Sequence, residues 1–166
     1  MLAKRHPDIF QDITLLCTNP CFVKNDSNFT GMEQKIFRNF YISIQENYSK
    51  TIDKFLKLQL LGLPKDKLKI YYSIIKNIFI SNQEPCVNTL LLNLDILNLD
   101  LRQELINLDN KITYILSDND YLVPYELVEY IEIIKKPQDK VYTIPKATHL
   151  PHITNIENFT EILHMI

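Results

Sequence analysis

The last third of the chain alternates strand with helix, and that alternation restricts the fold more than any other feature. Lys111–Ser117 (KITYILS) is rich in β-branched and aromatic residues and reads as a strand. Pro124–Lys136 reads as a helix, with proline at its first position and Lys135-Lys136 at its end. Lys140–Ile144 (KVYTI) reads as a second strand. Asn155–Met165 reads as a second helix, with Asn155 as N-cap. Strands joined through helices run parallel, so this segment builds parallel sheet. Asp12–Thr18 (DITLLCT) is long enough for a buried strand and too short for a helix, and it adds a third strand. From Met32 to about Leu61, apolar residues recur at three- and four-residue steps. Gly62 and Pro64 punctuate that run, and Lys65–Ile80 continues it as a second helix. After Pro85, a stripe from Leu90 to Leu105 reads as helix packing, because a zipper needs longer heptads. The chain divides into 1–31, a strand-bearing start; 32–98, all helical; and 99–166, the alternating segment.

Composition excludes several kinds of chemistry. The 166 residues suit one domain, and Gly31 and Gly62 are its only glycines. Phosphate-binding loops and the G-x-S-x-G elbow need glycines at close spacing, so neither occurs here. With 18 basic and 20 acidic residues, no surplus of positive charge suggests nucleic acid or an anionic membrane. No apolar run reaches the roughly 20 residues that span a bilayer. The first seven residues lack the apolar core of an export signal, so the cytoplasm is the expected compartment. Cys17, Cys21 and Cys86 are odd in number and are expected to be reduced thiols. The four-residue spacing of Cys17 and Cys21 lacks a second ligand pair, so zinc is not expected there. No metal site and no cofactor is expected.

In parallel sheets flanked by helices, ligands sit beyond the carboxyl ends of the strands. Two such ends carry ionisable groups. One is Ser117-Asp118-Asn119-Asp120-Tyr121, and the other is Lys146-Ala147-Thr148-His149-Leu150-Pro151-His152. Neighbouring strands lie about 4.8 Å apart, so a carboxylate after one can reach an imidazole after the next. That pair is the acid–base half of a catalytic triad. Asp120 is preferred because it directly precedes the apolar Tyr-Leu-Val-Pro that starts the next helix; Asp118 is the rival. Asp120 as a turn or capping residue, and His149 as a loop histidine bonded to backbone, remain open. His152 is expected on the loop or the substrate side, and His6 and His164 on the surface or in packing. No serine has the glycine neighbours of an elbow, and a buried thiol role is preferred for Cys17 and Cys21 over a nucleophilic one.

Several stretches taken in order carry a resemblance. They are His6-Pro7, Asn19-Pro20-Cys21-Phe22, Thr51–Gln59 (TIDKFLKLQ), Leu92–Arg102 (LNLDILNLDLR), Asp120–Pro124 (DYLVP) and Lys146–His149 (KATH). The chain resembles the C-terminal two-thirds of an α/β-hydrolase, in particular the carboxylesterases that act on pimeloyl-acyl-carrier-protein methyl ester in biotin synthesis. The resemblance implies an incomplete α/β-hydrolase fold, with about three C-terminal parallel strands and a helical lid over 32–98. It implies Asp120 and His149 as the acid and base, and Phe55 near the acyl chain. It places Lys50, Lys54 and Lys67 at basic lid positions that meet an acidic acyl-carrier protein.

The charge pattern supports such a partner separately. Lys50, Lys54, Lys57, Lys65, Lys67 and Lys69 crowd two successive helices in a net-negative chain, and a local basic patch can steer an acidic partner. A solvated helix face is the alternative. The family's first strands, its oxyanion loop and its nucleophile elbow would precede Met1. The expectation is therefore a truncated or split product or an incomplete gene model, inactive alone and poorly soluble without an N-terminal hydrolase segment. Two further functional readings stay open. One is a non-catalytic interaction module that keeps the lid; the other is a related hydrolase for another ester.

Overall fold

The computed structural model describes residues 2–6, 8–26, 28–80 and 85–166. The helix stop expected at Pro7, and Ser27, lie outside the described residues. Three strands form a parallel sheet: β1 (Asp12–Leu16), β2 (Lys111–Ser117) and β3 (Lys140–Ile144), in the order β1-β2-β3. Leu16 stands opposite Ile115, and Ser117 opposite Ile144. The ends of β2 and β3 therefore lie side by side, and the loops after them start from one place.

β2 is the centre of the sheet and is buried from Ile112 to Ser117. Its side chains alternate between two faces, as a strand's must. Ile112, Tyr114 and Leu116 enter one core with Ala3 of α1 (Leu2–Arg5), Leu105 of α6 (Arg102–Ile106), and Leu127 and Ile131 of α7 (Leu127–Ile134). Ile115 enters the other core with Ile144, Ala147 and Ile162, the last from α9 (Ile156–Met165). Cover on both faces explains why β2 reads as a nearly continuous apolar run. The helix expected over Pro124–Lys136 is shorter, Leu127–Ile134, because a turn at Tyr125 and Glu126 follows Pro124.

Among the described residues, five helices lie between β1 and β2 in the chain: α2 (Gln34–Glu46), α3 (Tyr48–Leu58), α4 (Lys65–Ile80), α5 (Val87–Asp95) and α6. The unbroken helix expected from Met32 to Leu61 is divided at Asn47. That residue leaves helical geometry (φ −157°, ψ 87°), and its side chain accepts the Lys50 amide hydrogen at 3.0 Å. Short amide side chains offer the backbone such local bonds and so favour helix starts. The helices on either side still pack together, with the Phe40 and Phe55 rings 5.4 Å apart. α3 and α4 share a core of Leu56, Leu60 and Ile75, which extends to Leu150 and Ile153 beyond β3.

The leucine stripe faces inward as expected, with Leu91 and Leu105 buried. It runs over three elements, though: α5, a 3-10 turn (Ile96–Asn98) and α6. Arg102 fastens the start of α6 to the loop after β1. It pairs with Asp100 at 2.6 Å and Asp26 at 3.0 Å, and lies over the Phe29 ring at 4.4 Å. Among the described residues, no helix is long and apolar enough to cross a membrane.

Candidate active site

The loop after β2 carries two carboxylates with separate tasks. Asp118 Oδ1 accepts the backbone N–H of Lys146 at 2.6 Å. Lys146 has a left-handed backbone (φ 56°), so this bond holds a strained turn at the exit from β3. Asp120 turns inward, and its side chain is 1% exposed. Its Oδ1 accepts the amide hydrogens of Leu122 at 2.8 Å and Val123 at 3.1 Å. Its Oδ2 lies 2.8 Å from Nδ1 of His149. The loop alternatives left open by the sequence thus separate: Asp118 serves the backbone, while Asp120 both caps its own turn and meets the histidine.

The two loops are also joined through their main chains. Asn119 N–H donates to the Ala147 carbonyl at 3.1 Å. Residues 118–120 are thereby laced to residues 146–149, as the register of β2 on β3 requires. With a carboxylate on Nδ1, the imidazole carries its proton there, and Nε2 keeps its lone pair. No bond to Nε2 occurs among the described residues, and the His149 side chain is 22% exposed, so that nitrogen can be reached. A buried carboxylate, an oriented ring and an open basic nitrogen can take a proton from a hydroxyl and return it.

Further side chains surround this pair. Cys17 follows β1 with a left-handed backbone (φ 44°), and its sulfur lies 3.3 Å from the Ser117 hydroxyl. Burial pushes the Cys17 thiol up to about 12, so it stays protonated and is a poor nucleophile at neutral pH. Nothing in the sequence marked Ser117 as its partner. The Thr148 hydroxyl is buried and has no hydrogen-bond partner among the described residues. His152 sits on α8 (Pro151–Thr154), a short helix where a loop was expected; Pro151 at its start was the available signal. Burial, and then the neighbouring His149, hold His152 below the usual histidine range.

The remaining candidates lie on the helical layer. Phe55 is half-buried against Phe40, between α2 and α3. Lys50 and Lys54 are exposed one turn apart and line a cleft of about 310 Å³ with Phe40, Glu46 and Thr51. Lys67 is exposed on α4 and does not line that cleft. Lys57, also exposed, is paired with Asp53 on the same helix at 2.6 Å. Among the described residues, no cluster of three or more His, Cys, Asp or Glu could hold a metal ion.

A parallel sheet with helices on both faces, and an Asp–His pair beyond adjacent strand ends, is the C-terminal architecture of an α/β-hydrolase. Solved structures agree on the fold. An esterase from Exiguobacterium antarcticum superposes with a TM-score of 0.74 at 14% identity, covering 93% of this chain and 56% of that one. A bromoperoxidase from Bacillus anthracis gives 0.73 at 17% identity, covering 93% and 57%. The chain therefore carries an incomplete α/β-hydrolase fold. In sequence it is similar to proteins named pimeloyl-[acyl-carrier protein] methyl ester esterase. The one from Wigglesworthia glossinidia brevipalpis is 31% identical over 163 residues, covering 95% of this chain and 61% of that protein. The one from Pseudoalteromonas atlantica is 31% identical over 159 residues, covering 95% and 60%. The chain thus spans about three-fifths of the length of these curated relatives. No family model matches it.

Proposed function

We propose that this chain supplies the acid–base half of a serine carboxylesterase that hydrolyses the methyl ester of pimeloyl-acyl-carrier protein in biotin synthesis, in the cytoplasm. The bond between Asp120 Oδ2 and His149 Nδ1 carries the reading. The relatives' names supply the substrate. The nucleophile is a serine outside residues 1–166, because the sequence holds no G-x-S-x-G. His149 Nε2 takes the serine proton as the hydroxyl oxygen bonds to the ester carbonyl carbon. The tetrahedral adduct expels the methoxy group, which leaves as methanol with the proton from His149. Water then gives a proton to His149 and attacks the acyl-serine carbonyl. The serine departs with that proton, and the carrier is left with a free pimeloyl carboxylate. Asp120 holds the ring in place and stabilises its charged form throughout.

Residues 32–98 act as the lid in this reading, with Phe55 facing the acyl chain. Lys50, Lys54 and Lys67 draw in the acidic carrier; complementary charge of this kind raises the encounter rate. The test is methanol release from the carrier-bound ester, with this chain expressed from its native reading frame together with the sequence upstream. Activity is expected, with a loss of about 10³–10⁴-fold in kcat for Asp120→Asn. Activity indifferent to Asp120→Asn and His149→Ala overturns the reading. Labelling by a serine-directed fluorophosphonate supports the enzyme, whereas carrier binding with neither turnover nor labelling favours an interaction module instead.

A further inference from the structure

The turn between α3 and α4 touches both loops that carry the acid–base pair. Its glycine, Gly62, has φ +99°, in the region that favours glycine. A Cβ at that position would overlap the Asn119 side-chain amide, whose carbon would lie 2.9 Å away. Asn119 immediately precedes Asp120. On the other side of the same turn, Leu60 is fully buried in a cluster that includes Leu63, Leu150 and Ile153. Leu150 immediately follows His149. The turn therefore lies beside the residue before the acid, with no room for a side chain between them, and packs with the residue after the base. The Asn119 N–H bond to the Ala147 carbonyl joins the two contacts through the main chain.

We propose that Gly62 is a positioning residue: the α3–α4 turn, seated on Asn119 because it has no side chain there, holds the two loops in the register that aligns Asp120 with His149. The inference rests on the acid–base reading of that pair. It also gives the helical layer a task beyond covering a ligand, because displacement of the turn disturbs the pair. A shared proton between imidazole and carboxylate follows their distance closely, whereas plain loss of stability lowers the folded fraction and leaves the bond in the folded molecules unchanged.

The experiment is proton NMR of the protein expressed from its native reading frame together with the sequence upstream. It follows the low-field Nδ1–H resonance of His149, which reports the bond to Asp120. Asp120→Asn defines the uncoupled ring. Gly62→Ala is expected to weaken the low-field resonance and move it toward the uncoupled state. Asn119→Gln adds bulk from the other side of the contact and leaves the glycine in place, so it reads the same contact if Gly62→Ala does not fold. The double variant Gly62→Ala/Asn119→Gly removes the overlap and is expected to restore the resonance. If Asp120→Asn abolishes the resonance while Gly62→Ala and Asn119→Gln leave it unchanged, the positioning role is overturned and the acid–base reading stands. If Asp120→Asn itself leaves it unchanged, the acid–base reading fails and the positioning role with it.

Discussion

Asp118 and Asp120 are two residues apart and act in opposite directions. One holds a backbone turn at the surface; the other is buried against an imidazole. Substitution should separate them. Asp120→Ala leaves two buried amide hydrogens and the ring nitrogen without an acceptor, at a cost of about 1–3 kcal/mol by urea denaturation. Asp118→Asn keeps an acceptor for the Lys146 amide, and its cost should stay under about 1 kcal/mol. The cysteines divide in the same manner. Cys17 and Cys21 are buried, and burial raises both thiols. Cys86 is exposed at the start of α5, where bonds from Thr89 and Asn88 lower its thiol. One rapid equivalent of iodoacetamide should therefore react at pH 8, and Cys86→Ser should abolish that phase. A second rapid equivalent would mean that Cys17 or Cys21 is open to solvent.

Elements differ in how far the sequence revealed them. β2, β3 and α4 lie where their patterns put them, because each is bounded by polar or proline punctuation and holds one periodicity throughout. The break at Asn47 was hidden, since the apolar spacing continues through it in phase and only an asparagine marks it. The meeting of Asp120 with His149 was legible because strand pairing dictates where adjacent loops begin. The seat of Gly62 on Asn119 was not: a glycine after a helix signals termination, and nothing local reveals which side chain waits beneath it. Nor could periodicity show that Asp53 gathers Lys57, Lys76 and the Tyr72 hydroxyl between α3 and α4. These partners, Lys57 first, hold the Asp53 carboxyl well below the usual range, and Arg102 does the same for Asp100. A carboxyl depressed in the folded state contributes stability that is complete above its unfolded value, near about 4. That contribution is lost as pH falls from there toward the lower folded value. Asp53→Asn and Asp100→Asn should each flatten the fall in melting temperature below about pH 4 and leave its slope at pH 6–8 unchanged. Equal steepness in variant and parent would show that neither ion cluster persists in solution.

At the scale of the molecule, the sheet has two edges, because β1 and β3 each pair with β2 alone. β2 is paired on both sides and covered on both faces. β1 pairs with β2 alone, and its pattern runs from exposed Asp12 through exposed Thr14 to half-buried Leu16. A strand with one side unpaired presents amide and carbonyl groups to any other strand, and native proteins usually shield such an edge. Among the described residues, Asp12 is the only charge on β1, and it pairs loosely with Lys111 at 3.8 Å. Another strand laid along that edge would satisfy those groups. Without one, β1 should recruit a second copy. Sedimentation velocity of the chain alone should therefore show association that grows with concentration. Thr14→Lys sets a charge on the open strand without touching either core, and it should shift the distribution toward monomer. Melting of the monomer should be unchanged, because Thr14 is exposed and surface substitutions of this kind cost about 0.5 kcal/mol or less. A chain that stays monomeric throughout, with or without the lysine, would mean that the edge of β1 is shielded in solution and that the open row of groups described here does not persist.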